Sequence, residues 1–235
     1  MKRFVVPLLA LSFFASSVLA GEIKLACVGD SITFGLGIPR GWDYPAQLQR
    51  MLGTGPYTVR NFGVNGATLL RDGDRPYEKQ AAFKAALDWK PDIVIIMLGA
   101  NDSKPVNWGP HSAEFDTDYR WLVSQFPPDD GNPPTIYLCR PCLVSGTGRY
   151  GITDPVIQQQ IPIIDKIAAD LHLKEIDMHA ALQDHPEDLR DTVHPNTAGA
   201  TLLAKAAYKA VIGDDFQGQV PVPASPPAPA PAASP

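Results

Sequence analysis

The feature that most constrains the fold is an alternation of short apolar runs with amphipathic stretches along most of the chain. The run Ile93–Leu98 is uninterrupted and rich in β-branched residues, which is typical of a central strand covered on both faces. The predicted strands are Ile23–Val28, Tyr57–Phe62, Asp92–Leu98, Thr135–Arg140 and Leu173–Asp177. Alternation of strands with helices predicts a parallel sheet that has helices on both faces.

Five stretches between and after these strands have helical periodicity. The predicted helices are Pro45–Leu52, Tyr77–Trp89, Phe115–Phe126, Val156–Leu171 and Thr197–Ile212. Asn196 is suited to cap the last helix at its start, and Gly213 is suited to end it. Because crossovers between parallel strands are right-handed, few topologies remain. We predict an α/β fold, a three-layer α/β/α flavodoxin-like sandwich whose five-stranded parallel sheet has the order 2-1-3-4-5.

Polar residues follow the two strands that flank the switch point of such a sheet. Ser31 comes just after the first strand, and Asn101 comes just after the third. Ligands of open α/β sheets bind in the crevice at this point. We therefore expect both side chains to reach one crevice.

A carboxylate and an imidazole lie three residues apart in a loop near the end of the domain. These are Asp191 and His194, and the loop leads into the last predicted helix. With Ser31 they provide a nucleophile, a general base and a group that orients the base. The other histidines lack an acidic residue three positions earlier in a late loop. We therefore predict Ser31, His194 and Asp191 as catalytic.

Four segments resemble the conserved blocks of the SGNH (GDSL) hydrolase superfamily. They are Gly29–Gly35 (GDSITFG), Asn61–Thr68 (NFGVNGAT), Gly99–Asp102 (GAND) and Asp191–Pro195 (DTVHP), and they occur in the family's order. The resemblance implies three donors to an oxyanion: the backbone N–H of Ser31, the backbone N–H of Gly66 and the side-chain amide of Asn101. Gly63 is the alternative to Gly66. The resemblance also implies that Ser31 is the nucleophile, that His194 is the general base and that Asp191 orients His194.

Further segments look like a carbohydrate O-acetylesterase-like branch of this superfamily, described as sialate O-acetylesterase-like or acetylxylan esterase-like. They are Tyr44–Leu48, Asn61–Leu70 with Gly73–Tyr77, Gly99–Trp108 and Tyr137–Pro141. This resemblance implies that the substrate is an acetyl ester of a carbohydrate. It leaves the particular sugar open.

The loop after Asn101 is expected to be ordered yet irregular, because it contains Pro105 and Gly109. Trp108 could stack on a sugar face or could be a core aromatic, and the sequence does not decide between these. Lys104 and Asn107 could bond to sugar hydroxyls. Tyr150, in the glycine-rich loop Gly146–Gly151, is a weaker candidate for the rim.

The ends of the chain differ in composition from the middle. Residues 1–20 combine the basic pair Lys2-Arg3, an apolar run and small residues before a cleavage point after Ala20, which predicts a signal peptide and an exported protein. We expect the hydrolase domain to span residues 21–216. Residues 217–235 are rich in proline and alanine and predict an extended, disordered tail.

The net charge of −5 and the lack of a basic patch do not favour nucleic acid or an anionic membrane as a partner. No insertion into a membrane is expected once the signal peptide is removed. The scattered histidines give no zinc-ligand spacing, so we expect no metal and no cofactor. Cys139 and Cys142 have CxxC spacing; a disulfide is one possibility, and buried free thiols are favoured.

The sequence thus predicts an exported, metal-independent serine esterase that removes O-acetyl groups from carbohydrates through an acetyl-serine intermediate. The alternatives are a lysophospholipase or thioesterase, or a short-chain arylesterase. The absence of a long apolar lid argues against a true lipase. A non-catalytic carbohydrate-binding protein is the alternative from another class. The oligomeric state is not determined by the sequence.

Overall fold

The computed structural model describes residues 21–129, 131–146 and 148–222 of the 235-residue chain. Its strands are β1 (Ile23–Gly29), β2 (Tyr57–Gly63), β3 (Ile93–Met97), β4 (Thr135–Arg140) and β5 (Lys174–Asp177). They form one parallel sheet in the order β2-β1-β3-β4-β5. The predicted flavodoxin-like order is therefore confirmed. The predicted signal peptide, 1–20, and most of the predicted tail lie outside the described residues.

Eight α-helices connect and follow the strands within the described residues. They are α1 (Ser31–Phe34), α2 (Tyr44–Leu52), α3 (Ala81–Asp88), α4 (Pro105–His111), α5 (Phe115–Ser124), α6 (Asp154–Leu171), α7 (Ala180–Gln183) and α8 (Thr197–Ile212). The predicted caps of α8 are confirmed: the side-chain oxygen of Asn196 accepts from the Gly199 N–H at 2.9 Å, and Gly213 ends the helix at φ 94°.

The sheet divides the core into two apolar layers, because successive side chains of a strand point to opposite faces. On one face, Leu25, Cys27 and Ile95 pack with residues of α2 and α8. On the other face, the strand residues that pack with α3, α5 and α6 are Ala26, Val28, Val94, Ile96 and Leu138. Helices on both faces explain why the central strands are apolar throughout.

Two expected elements differ from the structure. The predicted helix Tyr77–Trp89 begins instead as a 3₁₀ turn, and α3 follows only after Gln80, which is extended at φ −92° and ψ 145°. The loop after Asn101 is not irregular: it forms a 3₁₀ turn and then α4, which starts at Pro105. Proline suits the first helical position because its missing N–H has no intrahelical partner there.

The cysteines of the CxxC segment are free thiols. Cys139 and Cys142 are both buried, and the Cys142 sulfur lies 3.7 Å from the sulfur of Met97. Of the two possibilities that the spacing left open, the structure therefore has the free thiols. In the part of the chain that the structure describes, no helix is both long and apolar enough to cross a membrane.

Candidate active site

The loop after β1 fixes the position of Ser31. The Oδ1 atom of Asp30 accepts from the backbone N–H of Ile32 at 2.8 Å and thereby caps α1, in which Ser31 is the first residue. Gly29 is required before it, because a Cβ there would lie 2.1 Å from the Thr33 Oγ1 and 2.6 Å from the Met97 carbonyl oxygen. Ser31 is consequently held at the carboxyl edge of the sheet, and its side chain reaches a cavity.

The loop that leads from α7 into α8 brings Asp191 and His194 to the same edge. One Asp191 oxygen accepts from the backbone N–H of His194 at 2.8 Å. This hydrogen bond stabilises the turn of the loop between the two residues. The carbonyl of His194 accepts from the Arg190 N–H at 2.7 Å. Thr192 is a non-glycine residue at φ 73°, a strained conformation that such a tight loop imposes.

The three predicted catalytic side chains form one hydrogen-bonded chain. Ser31 Oγ lies 2.8 Å from His194 Nε2, and His194 Nδ1 lies 2.9 and 3.0 Å from the two oxygens of Asp191. Ser31 and His194 are both buried apart from the cavity opening. This geometry lets the imidazole take a proton from the serine while the carboxylate orients the ring.

Asp191 is held in its charged form. Burial alone would raise the pKa of this carboxyl, but hydrogen bonds from the backbone and ring of His194, together with the charge of that ring, outweigh burial and lower the pKa below its usual range. The guanidinium groups of Arg149 and Arg190 lie 3.6 and 3.8 Å from an Asp191 oxygen. Asp191 can therefore stabilise an imidazolium at His194.

The three residues predicted to supply oxyanion donors line one cavity. Gly66 and Asn101 line the same cavity as Ser31. Among the described residues, the backbone N–H groups of Ser31 and Gly66 have no protein acceptor. The Nδ2 atom of Asn101 donates to the Ala67 carbonyl at 3.1 Å and makes only a long contact of 3.5 Å with Asp30. Its second hydrogen is thus open to a stronger acceptor.

Gly66, and not Gly63, is the glycine that faces this cavity. Gly66 has φ 76°, which a side chain would strain, although a Cβ would meet only Arg75, at 3.6 Å. Gly63 packs against the backbone of α1, where a Cβ would lie 2.2 Å from the Phe34 nitrogen. Gly63 therefore serves close packing, while Gly66 presents its backbone to the cavity.

Two buried carboxyls brace the segments that carry these donors. Asp102 accepts from the backbone N–H groups of Leu69 and Leu70 at 3.0 and 2.7 Å, which ties the Gly66 segment to the end of β3. Burial raises the pKa of Asp102 to about 6. Burial likewise raises the pKa of Asp30 to about 7, and the charge of Asp102 adds to this.

The cavity has a volume of about 210 Å³ and mixed polar and apolar walls. Its lining residues are Ser31, Leu36, Gly66, Asn101, Lys104, Tyr150, Ile152 and His194. Leu36 and Ile152 supply the apolar walls beside the serine. A small acyl group would contact these two side chains while its carbonyl oxygen faced the donors.

The three residues predicted to bind a sugar have different positions. Lys104 does line the cavity, where its ammonium lies 3.1 Å from Asp74. Asn107 does not: it is buried, and its amide nitrogen donates to Asp74 and to the Asn101 carbonyl at 3.0 and 2.8 Å. Both amide hydrogens are used there, so Asn107 has none for a substrate and instead braces the loop that carries Asn101.

Trp108 also faces the protein. Its ring packs edge-on against Phe115 at 5.4 Å between centroids, and its indole nitrogen donates to Gln159 at 3.1 Å. Of the two interpretations of Trp108, the structure has the one in which it packs against the core. Helix α4, which sequence reasoning missed, is the cause, because it turns this side chain away from the cavity.

Tyr150 is the aromatic residue that the cavity presents instead. Its ring stands edge-on to the His194 ring, with 6.3 Å between centroids. Arg149 packs over the Tyr150 ring at 4.9 Å. The glycine-rich loop led to the prediction that Tyr150 is a weaker candidate for the rim. That pattern does not indicate that the loop crosses to His194.

A parallel α/β sheet with a serine, an imidazole and a carboxylate in contact at its carboxyl edge has the architecture of a serine hydrolase. The model of the GDSL-like Lipase/Acylhydrolase family matches residues 27–202. The chain belongs to this family, and so to the carboxylic ester hydrolases.

One curated relative is an acetylxylan esterase from Xylanibacter ruminicola. It is 40% identical over 209 residues, which cover 80% of this chain and 43% of that protein. The chain thus spans less than half the length of this relative.

Solved structures share the fold. A variant of Axe2, an acetyl-xylooligosaccharide esterase from Geobacillus stearothermophilus, is 25% identical and aligns with a TM-score of 0.65 over 86% of this chain and 99% of its own. The aryl esterase of M. smegmatis has a TM-score of 0.65 over 82% of this chain and 99% of its own, at 16% identity. At that identity the similarity concerns the fold alone.

Proposed function

We propose that this protein is an exported serine esterase that removes O-acetyl groups from carbohydrates through an acetyl-Ser31 intermediate. The observation that carries the proposal is the 2.8 Å contact between Ser31 Oγ and His194 Nε2 at the floor of a cavity where unpaired N–H donors converge. A nucleophile, its base and an oxyanion site are together there.

In the first half-reaction, Ser31 Oγ attacks the acetyl carbonyl carbon while His194 Nε2 takes the hydroxyl proton. The carbonyl oxygen becomes an oxyanion, which the N–H groups of Ser31 and Gly66 and the amide of Asn101 stabilise. The intermediate then collapses. The bond to the sugar oxygen breaks, His194 returns its proton to that oxygen, and the acetyl group stays on Ser31.

In the second half-reaction, water replaces the sugar. His194 takes a proton from the water, whose oxygen attacks the acetyl carbonyl, and the same donors stabilise the second oxyanion. Collapse breaks the bond to Ser31 Oγ, His194 protonates that oxygen, and acetate leaves. Asp191 stabilises the imidazolium in both half-reactions. Its lowered pKa supports this role, because the carboxylate stays charged over the working pH range.

The choice of an acetylated carbohydrate is supported by two observations. The relative that is 40% identical is an acetylxylan esterase, and the match covers most of this chain. The cavity at Ser31 is small, about 210 Å³, and Leu36 and Ile152 close its apolar side. A short acyl group fits such a space better than a long one does.

The decisive experiment measures acetate release from a panel of acetylated glycans: xylan, pectin, sialic acid, cello-oligosaccharides and chito-oligosaccharides. The wild type is compared with Ser31→Ala, which removes the nucleophile and leaves the rest of the cavity. Release from one glycan that the substitution abolishes is the expected result. Binding of a glycan without release would indicate a carbohydrate-binding protein instead.

The acyl length gives an independent test. With p-nitrophenyl esters from acetate to octanoate, kcat/KM should fall as the chain grows, because Leu36 and Ile152 limit the space. A maximum at octanoate would favour a lysophospholipase or thioesterase.

EDTA should leave the activity unchanged, since His194 and not a metal activates Ser31. A loss of activity that zinc or calcium restored would contradict the proposal.

Export is proposed from residues 1–20 alone. The test is expression of the full chain in a bacterial host, followed by fractionation and N-terminal sequencing. The mature protein should begin at Gly21 and be found outside the cytoplasm. A cell-retained protein that begins at Met1 would contradict the proposal.

A further inference from the structure

We propose that Arg190 is a positioning residue for acyl-length specificity, because its side chain joins the catalytic loop to the Leu36 wall of the cavity. This inference rests on the proposed esterase function and adds to it the contact that keeps the acyl space small. Arg190 is not among the residues that line the cavity, and no step of the proposed reaction uses it.

The backbone of Arg190 forms the base of the loop that carries Asp191 and His194. Its N–H donates to the His194 carbonyl at 2.7 Å. The residues just outside this pair, Leu189 and Pro195, form an antiparallel bridge. The backbone of Arg190 therefore has a fixed place relative to the two catalytic side chains, and its own side chain starts from the same turn.

The side chain of Arg190 crosses from this loop to the segment that follows α1. Its Nη2 atom donates to the Leu36 carbonyl at 3.3 Å and lies 3.8 Å from an oxygen of Asp191. In the described part of the chain, no other donor reaches the Leu36 carbonyl. One guanidinium thus contacts both the catalytic carboxylate and the backbone of a residue that lines the cavity.

The next residue, Gly37, leaves the space that this guanidinium occupies. A Cβ on Gly37 would lie 2.2 Å from both the Cζ and the Nη2 atom of Arg190, which is closer than any real Cβ contact. The guanidinium therefore packs directly on the backbone of Gly37. A side chain at this position would displace the guanidinium from the Leu36 carbonyl.

The Leu36 wall needs such support from outside its own segment. Leu36 lies between Gly35 at φ 83° and Gly37 at φ 77°, and glycine restricts the backbone least of all residues. At one end, the Leu36 N–H donates to the Ser31 carbonyl at 3.0 Å. At the other end, its carbonyl accepts from Arg190. Loss of the second contact would let the Leu36 side chain move away from Ser31 and make room for a longer acyl chain.

Arg149 provides a matched control. Its guanidinium lies 3.6 Å from the same oxygen of Asp191, and its side chain is 57% exposed, against 44% for Arg190. Arg149 packs over the Tyr150 ring, whereas Arg190 bonds to Leu36. Arg149→Ala therefore removes a positive charge beside Asp191 and leaves the support of Leu36 in place.

The test measures kcat/KM for p-nitrophenyl acetate, butyrate and hexanoate. Arg190→Ala should lower the preference for acetate over hexanoate by about tenfold, and kcat/KM for hexanoate should rise above the wild-type value. Gly37→Ala should shift the preference in the same direction, because it displaces the guanidinium. Arg149→Ala should keep the wild-type preference, whatever its effect on kcat for all three esters.

A double-mutant cycle tests whether Arg190 acts through Leu36. Leu36→Ala should itself weaken the preference for acetate. Arg190→Ala added to it should change the preference little further, because the side chain that Arg190 positions is then absent. Additive effects of the two substitutions would overturn the proposal. An unchanged preference in Arg190→Ala, or a weaker one caused only by a loss on acetate, would overturn it as well.

The ester series separates this inference from the proposed function, because p-nitrophenyl esters contain no sugar. Failure to release acetate from any glycan would contradict the carbohydrate substrate, and the ester series would still decide the role of Arg190. Ester hydrolysis that Ser31→Ala retained in full would overturn both, since the acyl group would then not bind at this cavity.

Discussion

At the scale of single residues, Asn101 is the donor whose contacts change most during the proposed reaction. In the structure its amide has one good acceptor, the Ala67 carbonyl at 3.1 Å, and one long contact with Asp30 at 3.5 Å. The long contact is weak, so an oxyanion can replace it without loss of a strong bond. A preorganised donor of this kind lowers the barrier more than it strengthens substrate binding.

Asn101→Ala should therefore lower kcat for an acetyl ester about 100–1000-fold, with a much smaller change in KM. The free energy of unfolding should fall by only about 1 kcal/mol, the usual cost of one lost hydrogen bond. Steady-state kinetics and urea denaturation measure the two quantities. Asn101→Asp keeps the size but removes the donor, and it should lose at least as much activity. A loss of less than tenfold in either variant would refute the role of the amide.

Gly66 allows conformation and catalysis to be separated. Its φ of 76° disfavours any side chain, while a Cβ there would make only an ordinary 3.6 Å contact with Arg75. If the conformation is kept, Gly66→Ala should lower the free energy of unfolding by about 1–2 kcal/mol. If the backbone rotates to relieve the strain, kcat should fall instead. Thermal unfolding and kcat for an acetyl ester check this. Because alanine keeps the backbone N–H, unchanged kcat would mean that the conformation is kept, and a variant with unchanged stability would contradict the strain expected at this φ.

The residues that could be predicted from the sequence are those whose role depends on position along the chain. Ser31 and His194 are at the ends of elements that a parallel sheet must bring to one edge, so they meet. Trp108 and Asn107 are near Asn101 in sequence, but a helix decides where their side chains point. Tyr150 lies in a loop whose path to His194 depends on tertiary packing, which no local pattern encodes.

At the scale of elements, the site is assembled by bonds between loops. Asp102, just after β3, accepts from the N–H groups of Leu69 and Leu70 and so positions the segment that follows β2 and carries Gly66. Asn107 extends the same connection, because its side-chain oxygen accepts from the Asp74 N–H at 2.8 Å. Two of the three proposed oxyanion donors therefore depend on one set of buried polar contacts.

Asp102→Asn should break one of these bonds, because an amide NH₂ group would face a backbone N–H. The expected loss is about 1–3 kcal/mol in the free energy of unfolding and about tenfold in kcat, as the Gly66 segment shifts. Asp92→Asn is the control. Asp92 accepts from the Lys24 N–H at 2.7 Å at the amino edge of the sheet. This substitution should lower the free energy of unfolding and leave kcat unchanged. If kcat were kept in Asp102→Asn, the positioning role would be wrong.

The strands could be predicted because their apolar runs reflect burial on both faces, and the sheet order followed from handedness. The short elements could not. Pro105 and Gly109 are in a segment that is typical of a loop, yet α4 forms there because it packs Trp108 against Phe115. In such a segment, tertiary contacts outweigh the low helix propensity of glycine and proline.

At the scale of the whole molecule, the carboxyl edge of the sheet holds buried carboxyls that resist ionisation. Burial raises the pKa of Asp30 to about 7 and that of Asp102 to about 6, well above the values near 4 expected in the unfolded chain. The folded state therefore binds more protons than the unfolded state between about pH 4 and pH 7. In this range the two groups make the free energy of unfolding fall as pH rises.

Asp30→Asn should remove the larger part of this dependence, because an amide does not titrate. The contribution of Asp30 is fully present below about pH 4 and is lost as pH rises to about 7. The free energy of unfolding of the wild type, relative to the variant, should thus drop by about 2–4 kcal/mol between pH 4 and pH 7.5. Urea denaturation at several pH values measures the difference in the free energy of unfolding between wild type and variant. Groups whose pKa is lowered on folding, such as Asp191, are present in both proteins and cancel in this difference. A difference that stays constant with pH would mean that Asp30 ionises normally, and that water or a neighbouring donor compensates its burial beside Ser31.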